Sequence, residues 1–311
     1  MLTKEDDDMP SVQAKMISGL FKLVGVNKML DKQGADFEKL LESYKEKQKK
    51  PLKIPYSKME AFDIKTKVID GTMCYTVNKK GSTPKRAVLY LFGGGYILPP
   101  DSGDIILCGQ IAENCHAKVW FPLYPMAPEH RLVETLQSTL KVYQDILTEY
   151  DASSVRFFGT SSGGGQAMSL CTYIKHENID IPLPGRLVLQ SPGLQIPPSE
   201  SQKAEMEKRK KMDVMIPTRF FDNIAPVLAT GDEAYLLSPL LYDLSGFPEI
   251  DIFYGTREVM IAYLKDFQET CRKYGVKLNT HIGKGMMHCW GAMEFVPEAR
   301  AVRQEYFKAL Q

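Results

Sequence analysis

The stretch Phe157-Phe158-Gly159-Thr160-Ser161-Ser162-Gly163-Gly164-Gly165 carries a Gly-x-Ser-x-Gly pattern centred on Ser161. It follows the short apolar run 155–158 and precedes a helix-like segment at 166–176. Strand, tight turn and helix in that order let a serine hydroxyl stand clear of the backbone and attack a carbonyl. Small residues two before and two after the serine allow strand and helix to approach closely. The N-terminus of the following helix aims its N–H groups at the place where negative charge would develop. A plain Gly/Ser loop is the competing reading, because the bare pattern occurs often by chance.

Such a serine needs a base, an acid to orient the base, and donors for the oxyanion. Phe92-Gly93-Gly94-Gly95-Tyr96 follows the apolar run 87–92, and consecutive glycines leave backbone N–H groups uncovered. Three glycines between two aromatics are costly for a mere turn. Of the five histidines, His288 lies in Gly283-Lys284-Gly285-Met286-Met287-His288, after the last strand pattern. Catalytic groups of open α/β sheets collect at that end of the strands. His116 ends a helix pattern, His176 lies in a charged helix end and His281 within a strand. His130, in the Pro-rich turn Tyr124-Pro125-Met126-Ala127-Pro128-Glu129-His130, precedes the serine and reads as structural. The acid is expected after the run 250–254, which points to Glu258, with Asp251 and Asp266 as fallbacks. The competing reading of Glu258 is a helix-start carboxylate beside Arg257. Cys289 beside His288 suggests a thiol nucleophile, but neighbours in sequence rarely face each other as catalysis requires.

The elements that must hold these groups alternate. Apolar runs at 87–92, 119–123, 155–158, 187–189, 250–254 and 276–282 predict strands. Helical patterns fall at about 104–115, 132–150, 164–177, 260–274 and 297–310. Continuous apolar strands separated by helices imply a parallel sheet covered on both faces, an α/β class. Alternation around Asp70-Gly71 predicts a hairpin leading into it. Ahead of the sheet, Val12, Met16, Leu20, Leu23 and Val24 form one helical stripe, with Ser11 as N-cap. Phe37, Leu40, Leu41 and Tyr44 form a second. Residues 195–232 break the alternation and read as an insertion roofing the site, with Phe220 and Phe221.

The 311 residues carry a net charge of +1, so no global field recruits nucleic acid or an anionic surface. The mixed-charge run 203–213 reads as a solvated helix face. No run approaches the roughly 18 apolar residues of a membrane span. The acidic start lacks the order of a secretory signal. The six scattered cysteines suggest neither a zinc site nor a disulfide framework, and a cytoplasmic location is expected.

Four ordered motifs, 92–96, 124–130, 159–163 and 283–288, together resemble the hormone-sensitive-lipase-like branch of the α/β-hydrolases, the esterase and acetyl esterase group. The resemblance covers about residues 60–311. It implies an α/β-hydrolase fold with a helical cap at 1–55, a catalytic domain at 56–311 and a second cap insertion at about 195–232. It also implies an oxyanion hole from the amides of Gly94, Gly95 and Ser162. The expected function is a short-acyl carboxylesterase working through an acyl-enzyme on Ser161, His288 and Glu258. Tyr96, Phe220 and Phe221 are expected to line the substrate pocket. The expected partner is a small-molecule ester, with no cofactor, metal, nucleic acid or membrane; a homodimer is left open. Two residues depart from the family pattern: Phe92 stands where the motif has His, and Glu258 where the acid is usually Asp. The first motivates a rival reading, a non-hydrolytic ligand-binding member of the fold; an amidase would use the same triad.

Overall fold

The computed structural model of the protein describes residues 10–311; the acidic start lies outside the described residues. Strands β1 (Phe62–Ile69) and β2 (Thr72–Lys79) form the expected hairpin. Asp70 and Gly71 close it with φ of 46° and 81°, the two positive angles that such a tight turn requires. The remaining strands are β3 (Arg86–Leu91), β4 (Ala117–Pro122), β5 (Val155–Thr160), β6 (Arg186–Gln190), β7 (Glu249–Gly255) and β8 (Leu278–Gly283). One eight-stranded sheet runs in the order β1-β2-β4-β3-β5-β6-β7-β8. The pairs from β4 to β8 are parallel, and β2 joins β4 antiparallel. Every residue from Ala87 to Leu91 is buried, so both faces of β3 are covered. That is why the strand reads as an unbroken apolar run rather than an alternating one.

Helices α1 (Val12–Val24), α2 (Val26–Leu30) and α3 (Gly34–Gln48) precede the sheet. Next come α4 (Ser102–Asn114), α5 (Leu132–Leu147) and α6 (Ser162–His176) between the strands. The segment between β6 and β7 carries α7 (Glu200–Arg209) and α8 (Phe220–Leu228), and α9 (Leu264–Tyr274) and α10 (Pro297–Leu310) complete the chain. Ser11 caps α1, accepting from the Ala14 amide, and its own N–H and hydroxyl donate to the Glu298 carboxylate at the start of α10.

The first helical stripe is not core. Val12, Met16, Leu20, Leu23 and Val24 are 54–85% exposed, whereas Ala14 and Ile17 are buried. Ala14 borders a small cavity together with Pro10, Gly285, Met286 and Trp290. The second stripe docks as expected: Phe37, Leu41 and Tyr44 are buried, and Phe37 meets Phe220 edge-on at 6.4 Å.

Candidate active site

Ser161 sits between β5 and α6 with φ 52° and ψ −120°, a conformation that a side chain rarely adopts. The glycines around it serve close approach. A Cβ on Gly163 would collide with the Leu91 and Phe92 carbonyls, and one on Gly159 with the Gly163 carbonyl. The Ser161 amide donates to the Gln190 carbonyl at 2.8 Å, tying the turn to β6.

The His288 loop and the Glu258 loop lock together past the ends of β7 and β8. Thr256 and Arg257 donate their amides to the Gly283 and Met286 carbonyls at 3.0 Å each, and the Gly285 amide donates to the Thr256 hydroxyl at 2.8 Å. This brings the three side chains into a chain of hydrogen bonds. His288 Nε2 lies 2.9 Å from Ser161 Oγ, and His288 Nδ1 lies 2.6 Å from Glu258 Oε2. Glu258 Oε1 accepts from the Gly255 amide at 2.5 Å and from the Ser191 hydroxyl at 2.9 Å. All three side chains are buried.

Burial alone would push the His288 imidazole down, but neighbouring Cys289 and the Glu258 carboxylate outweigh it and hold it well above the ordinary histidine range. Burial pushes the Glu258 carboxyl up, against the pull of its bond to His288. The fallback acids lie elsewhere. Asp251 binds Arg186 and His281, and Asp266 accepts from Gln202. His130 pairs with Glu134 at 3.0 Å on the surface.

Sequence reasoning passed over two supporting residues. Ser191, at φ 48°, donates to Glu258 and accepts the Cys289 amide at 3.2 Å, so one hydroxyl joins the acid loop to the base loop. Its signal is only a polar residue immediately after β6. Asp213, at the end of the run read as solvated, is buried; it accepts from the Val259, Met215 and Ile216 amides and ties the insertion to the acid loop.

The glycine loop faces Ser161. Gly94 has φ 129°, and a Cβ there would lie 2.5 Å from the Leu98 carbonyl oxygen. Among the described residues the amides of Gly94, Gly95 and Ser162 donate no hydrogen bond. Phe92 stacks flat on Tyr124, centroids 4.2 Å apart, and the Tyr124 hydroxyl donates to the Phe92 carbonyl at 2.7 Å. That hydroxyl braces the loop from below, a task an imidazole at 92 could otherwise take. Phe92→His should therefore raise activity no more than about two-fold, and should lower stability by about 1–3 kcal/mol by placing a polar ring in a stacked apolar site. Thermal unfolding and turnover of the purified variant check both.

A cavity of about 480 Å³ opens onto Ser161 and His288, bordered by Gly94, Gly95, Tyr96 and Ser162. Phe220, Phe221, Ile224, Met215 and Ile216 from the insertion, Val26 and Leu30 from α2, and Cys289 beside the imidazole complete its apolar side. No group of His, Cys, Asp and Glu suited to hold a metal occurs among the described residues. No helix among them is long and apolar enough to cross a membrane.

Known proteins share this architecture. A family model described as the alpha/beta hydrolase fold matches residues 88–292, a span that holds Ser161, Glu258 and His288. An esterase of Acinetobacter venetianus is 25% identical over 230 residues, covering 71% of this chain and 73% of that protein. Carboxylesterase 20 of Arabidopsis thaliana is 29% identical over 226 residues, covering 65% and 67%. A crystal structure of an esterase from the bacterial hormone-sensitive lipase family superimposes with a TM-score of 0.79 at 21% identity, covering 97% of this chain and 98% of that one. With the matched span running from β3 to the His288 loop, this chain belongs to the α/β-hydrolase fold family.

Proposed function

We propose that the protein hydrolyses carboxylic esters through an acyl-enzyme on Ser161. His288 takes the Ser161 proton as Oγ attacks the acyl carbon, then delivers it to the leaving alcohol. Glu258 holds the imidazole in the tautomer that leaves Nε2 free to accept. The amides of Gly94, Gly95 and Ser162 receive the developing oxyanion. A water activated by His288 then releases the acid. The observation that carries this reading is the unbroken chain Oγ–Nε2–Nδ1–Oε2, at 2.9 and 2.6 Å, opening into an apolar cavity. Relatives named as esterases support the ester as substrate class. The helices at 12–48 and the insertion helices would act as a cap, since α2 and α8 both border the cavity. Small, short-acyl esters are the proposed substrates, and a series of p-nitrophenyl esters of increasing acyl length tests this. Turnover should be highest among the short members; a rise toward long chains would contradict it.

The raised His288 pKa gives a pH dependence with a definite sign. Only the neutral imidazole can take the Ser161 proton, so kcat/KM should climb as pH rises through that pKa. The climb should lie on the alkaline side of the ordinary histidine value of about 6.5. Because the Glu258 carboxylate helps raise it, Glu258→Gln should move the residual limb to lower pH. A pH profile of kcat/KM for both proteins measures the displacement.

A further inference from the structure

Cys289 does face its neighbour. Its Sγ lies 3.5 Å from His288 Nε2, the same nitrogen that meets Ser161 Oγ at 2.9 Å. It borders the active-site cavity, and of the six free thiols it alone does so among the described residues. Burial pushes Cys74, Cys115 and Cys271 up to about 12 and raises Cys108 and Cys171 as well, which keeps those five protonated.

A second observation lies behind the sulfur. The Gln190 amide and the Tyr306 hydroxyl are fully buried, and neither side chain has a hydrogen-bond partner among the described residues. Both converge on Gly291, two residues beyond Cys289, where an added Cβ would run into Tyr306 Oη and Gln190 Nε2. Cys289 Sγ in turn sits 4.0 Å from the Gln190 main-chain carbonyl oxygen. Burial, and with it the neighbouring Cys289, holds the Tyr306 hydroxyl well above its ordinary range, so these unpartnered side chains border the segment that carries the thiol. An oxygen added to the sulfur would bring a polar partner toward them.

We propose that Cys289 is an oxidation site at which small hydroperoxides switch the enzyme off. The thiol passes its proton to His288 Nε2. Sulfur then attacks the distal peroxide oxygen, the S–O bond forms and the O–O bond breaks. The leaving alkoxide or hydroxide recovers the proton from His288, giving Cys289–SOH and an alcohol or water. Sulfur loses two electrons and the peroxide gains them. The new S–OH group donates to His288 Nε2 and displaces Ser161 Oγ from its base. Reduction by a thiol restores the sulfur and with it the serine–histidine pair.

The loss of turnover rests on the ester-hydrolase reading; the oxidation itself does not. The experiment exposes the full-length protein to hydrogen peroxide, with dimedone present to trap sulfenic acid, and maps the adduct by peptide mass spectrometry. The expected adduct lies on Cys289 ahead of the other five cysteines. Ester turnover should fall in parallel and recover with dithiothreitol in a sample without dimedone. In Cys289→Ser the fractional loss of that variant's own activity should be about ten-fold slower. No adduct at Cys289, or equal fractional loss in the two proteins, would overturn the proposal. A fluorophosphonate that fails to label Ser161 while the Cys289 adduct still forms would instead overturn the hydrolase reading and leave the oxidation site standing.

Discussion

Ser161→Ala should lower kcat on p-nitrophenyl butyrate by about 10⁵–10⁶-fold while the protein still folds. The loss is this large because the proposed reaction runs through a covalent bond to this hydroxyl, which stands 2.9 Å from the base. The Cys289 thiol also reaches Nε2, but at 3.5 Å, farther off than the Ser161 hydroxyl. The methyl group of alanine fits the space of the serine side chain, and the Ser161 amide bond to the Gln190 carbonyl is kept. An unchanged unfolding temperature would separate lost chemistry from lost structure. Activity within about ten-fold of wild type would mean that the catalytic hydroxyl is elsewhere.

Glu258→Gln should cost about 10³–10⁴-fold in kcat, more than a similar-sized side chain suggests. Both carboxylate oxygens face donors: Nδ1 of His288 on one side, the Gly255 amide and the Ser191 hydroxyl on the other. A carboxylate can accept from all of them, whereas an amide must turn its NH₂ toward one side. If NH₂ faces His288, the imidazole adopts the wrong tautomer and Nε2 no longer accepts from Ser161. If NH₂ faces Gly255, two buried donors oppose each other, at a cost of about 1–3 kcal/mol. Glu258→Asp would leave the carboxyl one methylene short and should recover only part of the rate. A Gln variant with kcat near wild type would show that the imidazole is held by other contacts.

The sequence made the strand–helix alternation and the site motifs readable for one physical reason each. Strand segments covered on both faces must be apolar, so the buried parts of β3, β4 and β5 stand out as runs, broken only by the half-buried Lys118 and Arg156. Backbone crossing within van der Waals contact admits only glycine, so Gly159 and Gly163 mark the turn at Ser161. Contacts that depend on which face of an element docks were not readable. The stripe from Val12 to Val24 has helical spacing, yet α1 presents Ala14 and Ile17 to the protein and turns the stripe outward. Asp213 looked solvated because its neighbours are lysines and glutamates, while its carboxylate is buried and accepts from three amides. The closeness of Cys289 to His288 Nε2 depends on the left-handed backbone at Cys289, φ 51°, which spacing does not announce. The brace at Phe92 was hidden for a similar reason, since the bond comes from Tyr124, thirty-two positions away.

The most direct measurement is the reaction of the native protein with a fluorophosphonate, followed by peptide mapping. A serine whose hydroxyl is activated by His288 should take one phosphonyl group per chain, at Ser161, and His288→Ala should slow that reaction by about 10³-fold or more. A folded protein that stays unlabelled, or that labels at Ser161 equally fast without the imidazole, would contradict the account.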